Sequence, residues 1–381
     1  MTETNRSGPL PREGVAAIGG HMEIPEGLGR PGTIRLCSNE NPLGPSPLAI
    51  AAAMAALARS NEYPEAEGGE LIRAIGRTYE VDPARVRIGG GSDTLLLGLV
   101  LAFAGPDEEV VFPANGYGRN GRYAAIAGAT PVPVTDRGDF RADLAAMANA
   151  VGPRTRIVII ANPDNPSGAM LTAAELAQFH AALPEHVLLV LDGAYADYVR
   201  DAAYGDGGLA LAGSAGNVVV SRTFSKIFAL AGMRLGWMTG PPALLAAAVK
   251  AGATFPITVP TLAAGLAAIG DSAHVTAGRR HNDTWLPWLA ARLSRHPELT
   301  VYPSQANFQL VRFPDIVGRT AADCTSMLGG HGLLVRRVTN PAYGNHLRIS
   351  IGPAEGVTAC ADLIDDFLSQ APITRPREVP P

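Results

Sequence analysis

The chain has 381 residues, of which 47% are hydrophobic and 17% charged, and it carries a net charge of −4. This composition supports a sizeable core and excludes a globally disordered protein. The length favours two domains, or one large domain with a smaller one attached. No run of basic residues is present, so nucleic acid is not expected as the main partner.

Membrane insertion and export are not predicted either. The longest apolar stretch, Leu95 to Ala104, is too short to cross a bilayer. Residues 1–6 lack the apolar segment of a signal peptide. The three cysteines lie far apart, and the histidines have no ligand spacing. We therefore expect reduced thiols in a cytoplasmic protein without a metal site.

The first two thirds of the chain alternate predicted strands and helices. Residues 1–33, rich in glycine and proline, predict an extended arm, and residues 36–47 predict a loop. Helices are predicted over Leu48–Arg59, Glu70–Glu80, Leu95–Phe103 and Thr172–Leu183, and strands over Val86–Ile88, Glu109–Phe112, Thr130–Val134, Arg156–Ile160, Val187–Leu191 and Val218–Ser221. Polar residues cluster where these strands end, which is typical of an α/β fold with its site at the carboxyl ends of the strands.

From about residue 265 the pattern changes to long helices around short strands. The predicted elements are helices over Thr276–Ser294, Ala321–Leu328 and Ala354–Ser369, and strands over Leu299–Val301, Phe308–Phe313, Leu333–Val335 and His346–Ile351. This favours a smaller α+β domain at residues 265–370, a large domain at 36–264 and an arm at 1–35 on the small-domain side. Residues 371–381 carry four prolines and predict a disordered tail.

One lysine has surroundings that suggest covalent chemistry. The apolar strand Val218–Ser221 leads into Thr223, Ser225 and Lys226, and Arg234 follows eight residues later. A poorly solvated lysine disfavours its charged form, and a neutral amine can hold a carbonyl as a Schiff base. The two hydroxyls and the guanidinium suit a phosphate. Together they predict a site for pyridoxal 5'-phosphate (PLP); the alternative is a surface lysine near a turn.

Other strand ends supply partners for such a cofactor. The protonated pyridine nitrogen requires a buried carboxylate, and Asp192 is the candidate. Asn165 and Tyr195 are placed to contact the ring oxygen, and Tyr117 to stack on the ring.

A glycine-rich turn offers a place for the cofactor phosphate. Ser92 and Asp93 follow three glycines at the start of a predicted helix. Free backbone N–H groups and the positive end of the helix dipole favour an anion there. Ordinary N-capping is the alternative.

These motifs resemble those of the PLP-dependent aminotransferases of fold type I, class I/II, and most closely the histidinol-phosphate aminotransferase group. The matching stretches appear in family order at residues 38–47, 91–93, 162–168, 191–195, 223–226, 230–234, 303–308 and 347–352. The resemblance implies a large domain with a mainly parallel sheet flanked by helices, and a smaller α+β domain. It also implies a homodimer whose two active sites share the interface.

The resemblance assigns roles to the cofactor residues. Lys226 is implied as the Schiff-base lysine and proton carrier, and Asp192 as the partner of the pyridinium. Asn165 and Tyr195 are implied at the ring oxygen, and Tyr117 on the ring face. The alternatives are a turn cap for Asp192 and core packing for the two tyrosines.

The resemblance also implies residues that contact the substrate or a neighbouring subunit. Tyr63 matches the tyrosine that reaches the phosphate of the neighbouring subunit's cofactor; ordinary packing is the alternative. Arg348 matches the arginine that holds the acid group of the substrate, and Arg336 matches a second family arginine near the substrate. Asn41 and Asn120 are also predicted to bind the substrate. Alternatives for the arginines are an exposed ion pair, and a solvated pair at positions 336 and 337.

Two departures bear on the substrate. Asn120 stands where this family usually has an aromatic residue, and residues 19–26 lack the usual tyrosine before Pro-Gly. The amino donor is therefore left open between histidinol phosphate and an amino acid, possibly aromatic. The leading hypothesis is transfer of the amino group to a 2-oxo acid through the Lys226 Schiff base.

Two other functions remain open at this point. A PLP enzyme of the same fold could decarboxylate, cyclise or oxidise an amino acid, or eliminate a group from it, because the lysine and aspartate serve all of these reactions. A non-catalytic PLP-binding module is the third hypothesis. It would require a DNA-binding segment, which residues 1–35 do not predict.

Overall fold

The computed structural model describes residues 9–19, 30–65 and 68–369. The predicted tail at 371–381 and the departure in the arm at residues 20–26 lie outside these ranges. The strands are β1 (Ile34–Leu36), β2 (Val86–Gly89), β3 (Glu109–Pro113), β4 (Thr130–Val134), β5 (Thr155–Ala161), β6 (Leu188–Asp192), β7 (Val218–Thr223), β8 (Gly236–Thr239), β9 (Thr300–Val301), β10 (Phe308–Arg312), β11 (Leu333–Arg337) and β12 (His346–Ser350).

The α-helices of the described residues vary from one turn to six. They are α1 (Glu13–Ala16), α2 (Pro47–Ala56), α3 (Gly69–Tyr79), α4 (Ser92–Phe103), α5 (Arg119–Ala127), α6 (Leu144–Ala150), α7 (Ala173–Ala182), α8 (Leu209–Ser214), α9 (Pro242–Lys250), α10 (Val259–Gly270), α11 (Ser272–Leu293), α12 (Ala321–Gly330) and α13 (Ala354–Ser369). None of them combines the length and apolarity that crossing a bilayer requires.

A seven-stranded sheet forms the centre of the larger layer. Its order is β2-β8-β7-β6-β5-β3-β4, and every pair is parallel except those that involve β8. In β5, Ile157 and Ile159 face one core cluster while Val158 and Ile160 face the other. Such a strand is apolar on both faces, which is why its sequence is a continuous β-branched run. The α/β fold predicted from the sequence is confirmed.

Helices cover both faces of this sheet. Residues of α2, α3, α7, α8 and α10 pack on one face, and those of α4, α5 and α9 on the other. A capping box begins α7, with Thr172 and Glu175 each accepting a hydrogen bond from the other's backbone N–H group.

The sequence interpretation did not assign β1 and β8, or α5, α6, α8, α9 and α10, and the one-turn helix α1 lies in the arm that was predicted to be extended. Strand β8 has only four residues and begins with a glycine. Helices α8, α9 and α10 are rich in alanine and leucine, so their two faces contrast little, and hydrophobic periodicity gives a weak signal.

A second sheet has its own core. Its order is β1-β11-β12-β10-β9, with β1 parallel to β11 and the other pairs antiparallel. Leu36 of β1 is buried in this core, together with residues of α11, α12 and α13. The domain limits at 35/36 and 264/265 stay a prediction; residue 265 lies within α10, which packs on α2 and α3.

Candidate active site

The carboxyl ends of the parallel strands place the predicted residues at one edge of the large sheet. Strand register puts Ala161, Asp192 and Ser221 side by side at that edge. A cavity of about 250 Å³ opens there. It brings together most of the predicted site residues: Ser92, Asp93, Tyr117, Asn165, Asp192, Tyr195, Thr223, Ser225, Lys226, Arg234, Arg336 and Arg348.

Lys226 lies on the loop after β7 and is half-buried. Its Nζ donates to the backbone carbonyl of Ser38 at 3.0 Å and lies 5.5 Å from the ring centroid of Tyr195. The chain contains one other lysine, Lys250, which is exposed at the end of α9. The cavity therefore has a single amine that can form a Schiff base.

Asp192, the last residue of β6, is 5% exposed. Its Oδ1 accepts a hydrogen bond from the backbone N–H of Ala194 at 3.2 Å. Burial raises the pKa of the carboxyl to about 7, and the charge of Asp93 contributes in the same direction. A protonated pyridine nitrogen would give this carboxylate the cationic partner that favours its charged form, so the residue fits PLP.

Hydroxyl and guanidinium groups form a cup beside the start of α4. Thr223 Oγ1 lies 3.0 Å from Ser225 Oγ, which also lies 3.4 Å from Arg234 Nη1. Gly91, with φ of +94°, precedes Ser92, and a Cβ there would approach Arg234 Nη2 to 2.6 Å. The glycine thus lets the guanidinium reach the helix start, where a dianionic phosphate is favoured.

The side chain of Asp93 fixes the predicted stacking residue. Tyr117 donates its hydroxyl proton to Asp93 Oδ1 at 3.1 Å, and Tyr123 donates to the same oxygen. Arg119 Nη1 lies 3.5 Å from Asp93 Oδ2. Burial raises the pKa of the Tyr117 hydroxyl, so it stays protonated and can donate. Sequence reasoning chose Asp93 for its backbone and did not name Tyr123 or Arg119.

Tyr195 and Asn165 lie together, as predicted for contact with the ring oxygen. Asn165 Nδ2 donates to Tyr195 Oη at 3.3 Å. Asn39 Nδ2 donates to the same oxygen at 2.9 Å. Sequence reasoning missed Asn39, although it lies in a matched stretch; its φ of +56° is a conformation that asparagine tolerates better than most residues.

Two arginines of the second sheet reach the cavity. Arg348 Nη2 donates to the carbonyl of Cys37 at 2.7 Å, and Arg336 Nε donates to the same oxygen at 3.4 Å. Arg348 Nη1 donates to Asn165 Oδ1. Burial lowers the pKa of Arg348, and its buried Nε has no hydrogen-bond partner among the described residues. An anion in the cavity would favour the charged form of the Arg348 guanidinium and would accept a hydrogen bond from its Nε.

Three predicted residues lie outside the cavity lining. Tyr63 is 80% exposed and stacks on Phe255 with ring centroids 4.6 Å apart. Asn41 is buried and donates to the carbonyl of Ile227 at 2.8 Å. Asn120, at the start of α5, is 2% exposed. The roles predicted for these residues remain untested.

Comparisons with known proteins agree with this geometry. Residues 31–364 match the family model "Aminotransferase class I and II". The chain is 38% identical over 366 residues to a histidinol-phosphate aminotransferase of Rhodopseudomonas palustris, covering 96% of this chain and all of that protein. It is 43% identical to one of Ruegeria pomeroyi, covering 88% and 91% of the two chains.

Solved structures show the same fold. The histidinol-phosphate aminotransferase of Sinorhizobium meliloti, in complex with pyridoxal 5'-phosphate, has a TM-score of 0.83 and 27% identity, covering 96% of this chain and 99% of that one. A protein of Erwinia carotovora that is provisionally described as a histidinol-phosphate aminotransferase has a TM-score of 0.82 and 29% identity, covering 88% of this chain and 96% of that one. The predicted PLP-dependent aminotransferase is thereby confirmed, and the chain belongs to the class I and II aminotransferase family.

Proposed function

We propose that this aminotransferase takes the amino group of histidinol phosphate and transfers it to a 2-oxo acid such as 2-oxoglutarate. The observation that carries the proposal is the arginine pair at positions 336 and 348, which share the Cys37 carbonyl at the cavity. Two guanidinium groups suit a phosphate of the donor and a carboxylate of the acceptor alike. The curated relatives described above are also histidinol-phosphate aminotransferases.

The residues of the cavity have separate tasks in this proposal. When bound, PLP supplies an aldehyde that condenses with amines and a ring that accepts electrons from the substrate Cα. Lys226 Nζ would hold the cofactor in the resting enzyme, and once the substrate amine has displaced it, the freed amine would remove the Cα proton of the substrate. Asp192 keeps the proton on the pyridine nitrogen. The cup at Thr223, Ser225 and Arg234 would hold the phosphate of the cofactor.

A donor screen tests the substrate. We expect kcat/KM to be highest with histidinol phosphate and to fall about a hundredfold or more with histidinol, because loss of a doubly charged contact costs roughly 3 kcal/mol. Replacing Arg348→Lys should raise KM for histidinol phosphate with a smaller change in kcat, since lysine cannot form the fork. A clear preference for an aromatic amino acid over histidinol phosphate would refute the proposed donor.

We further propose that two copies form a homodimer. The support is an exposed apolar surface at α2 and its neighbours, with Leu48, Met54 and Leu57 exposed by 60%, 66% and 59%. Tyr63 and Phe255 are also exposed. Large apolar groups exposed together are typical of an interaction surface. In a dimer, Tyr63 would reach the cofactor phosphate of the partner subunit.

Mixing two variants with impaired sites tests the shared site. Tyr63→Ala leaves Lys226 intact, and Lys226→Ala leaves Tyr63 intact. If each site combines residues of two subunits, hybrid dimers contain one native site, and refolded equal mixtures should recover about a quarter of wild-type activity. Activity no higher than that of the Tyr63→Ala protein alone would refute a shared site.

We also propose that the enzyme acts in the cytoplasm. Its three cysteines are free and buried, which agrees with a reducing compartment. Fractionation of cells that produce the untagged protein tests this, and recovery in the secreted fraction would contradict it.

A further inference from the structure

We propose that Asn39 is a positioning residue: it turns the hydroxyl proton of Tyr195 into the cavity, toward the place of the cofactor's ring oxygen. The inference rests on the PLP-dependent function and on the contact with the cofactor's ring oxygen that the sequence predicts for Tyr195. It adds a residue from the segment before α2, which sequence analysis did not select. Its basis is the set of hydrogen bonds around one buried hydroxyl.

Two amide groups donate to the hydroxyl oxygen of Tyr195. Asn39 Nδ2 lies 2.9 Å away and Asn165 Nδ2 lies 3.3 Å away. A hydroxyl has two acceptor lone pairs and one hydrogen. Because both lone pairs face N–H donors, the hydrogen must point in another direction. Tyr195 lines the cavity and is 5% exposed, so the cavity is the direction that remains.

The orientation of the Asn39 amide follows from its second neighbour. Ser350 Oγ accepts a hydrogen bond from the backbone N–H of Asn39 at 2.8 Å. Its own proton is then free to donate to Asn39 Oδ1, which lies 2.7 Å away. With Oδ1 accepting from Ser350, the NH₂ group of Asn39 faces Tyr195. The chain fold therefore determines which end of the amide meets the hydroxyl.

The orientation of the Asn165 amide is fixed in the same way. A guanidinium group has donors and no acceptor. Arg348 Nη1 donates to Asn165 Oδ1, so Asn165 Nδ2 faces Tyr195. The arginine proposed to bind the substrate anion is thus connected to the same hydroxyl as Asn39.

Asn39 itself is held rigidly. It is 1% exposed, and its carbonyl accepts from Asn307 Nδ2 at 3.1 Å. Its φ of +56° lies in the left-handed region, where asparagine and glycine are tolerated best. A buried, immobile donor maintains the direction of the Tyr195 proton without reorganisation when the cofactor binds.

This arrangement has a spectroscopic consequence. A hydrogen bond donated to an oxygen with negative charge stabilises that charge. In the cofactor-loaded protein, the Lys226 nitrogen and the ring oxygen compete for one proton. Weaker donation from Tyr195 therefore raises the pH at which that proton leaves. The midpoint of the pH titration of visible absorbance reports this directly, without turnover.

The test is a double-mutant cycle on the cofactor-loaded protein. Asn39→Gly removes the amide and accepts the left-handed backbone without strain. We expect its titration midpoint to rise by about one pH unit, the equivalent of one lost hydrogen bond. Tyr195→Phe should raise the midpoint as well, and adding Asn39→Gly to Tyr195→Phe should change it no further. Independent, additive shifts would show that Asn39 does not act through the hydroxyl and would overturn the inference.

Two further variants keep the test decisive if the glycine variant folds poorly. Asn39→Asp preserves the shape and the Ser350 contact but replaces the donor with an acceptor, so the midpoint should rise at least as much. An unchanged or lowered midpoint would overturn the inference. Asn282→Ala is the control: it removes another buried amide, whose Nδ2 donates to the backbone carbonyl of Ala306 at 3.1 Å. This variant should leave the titration midpoint unchanged. A wild-type protein without a visible band would instead refute the cofactor function itself.

Discussion

The buried carboxyl of Asp192 leads to a prediction about the pH dependence of stability that can be tested in the cofactor-free protein. In the cofactor-free protein, burial moves the pKa of this carboxyl from 3.8 to about 7. Between these values the folded protein keeps a proton that the unfolded chain releases, so stability falls as the pH rises through that window. At about 1.4 kcal/mol for each tenfold change, the full cost above pH 7 is at most about 4 kcal/mol.

The substitution Asp192→Asn removes this cost, because the neutral amide oxygen can still accept from the Ala194 N–H. We expect urea unfolding of the two cofactor-free proteins to give similar stabilities near pH 4. The variant should become the more stable one as the pH approaches 8, by up to about 4 kcal/mol. The pKa of Asp164 is also raised to about 7 by burial, but it titrates in both proteins, so the difference isolates Asp192.

Addition of PLP should reverse the order. The pyridinium then pairs with the ionised carboxylate, and the wild-type protein should gain more stability from the cofactor than the variant. Protein concentration must be equal in all samples, because the proposed dimer would be stabilised by mass action. A difference in stability that does not change with pH would refute the claim that the Asp192 carboxyl is buried without a cationic partner in the cofactor-free protein. A difference that favours the wild type at pH 8 without cofactor would refute it as well.

Two further predictions concern the phosphate cup and the scaffold. Gly91→Ala should weaken PLP binding about tenfold or more in an equilibrium titration, because its Cβ would meet Arg234 at 2.6 Å. Gly32→Ala, which also replaces a glycine of positive φ (+82°) but has no atom within 4 Å of the new Cβ, is the matched control, and equal losses in both variants would contradict the reasoning. Thr172→Ala should lower the free energy of unfolding by about 1 kcal/mol through loss of the α7 cap, with unchanged PLP affinity; no change in urea unfolding would contradict it.

The sequence was most informative where one local feature determined the structure. The continuous apolar run at residues 157–160 predicted a buried strand, and the hydroxyl, lysine and arginine spacing after β7 predicted the groups that form the cup. Each of these two signals is contained in one short stretch of the chain. Asp192 could also be assigned to the site from the sequence, because ligands of α/β sheets bind at the carboxyl ends of the parallel strands.

Contacts between distant segments could not be predicted in this way. Asn39 meets Tyr195 across 156 positions of the chain, and Arg348 meets the Cys37 carbonyl across 311. The first contact joins the segment after β1 to the loop that follows β6, and the second depends on the pairing of β1, β11 and β12 within the second sheet. No local pattern encodes either contact. The choice of Asn41 rather than Asn39 within one matched stretch illustrates this, because only the folded backbone shows which of the two side chains faces the cavity.

The central claim is that one amine, Lys226 Nζ, carries the cofactor. Reduction of the PLP-loaded protein with borohydride, followed by peptide mass spectrometry, tests it most directly, since Lys250 is the single other lysine of the chain. We predict a reduced cofactor adduct on the peptide that contains Lys226, its loss in Lys226→Ala and its retention in Lys250→Arg. An adduct on Lys250 would contradict the account. So would the absence of an adduct on the Lys226 peptide of a protein that shows the visible absorbance of bound PLP.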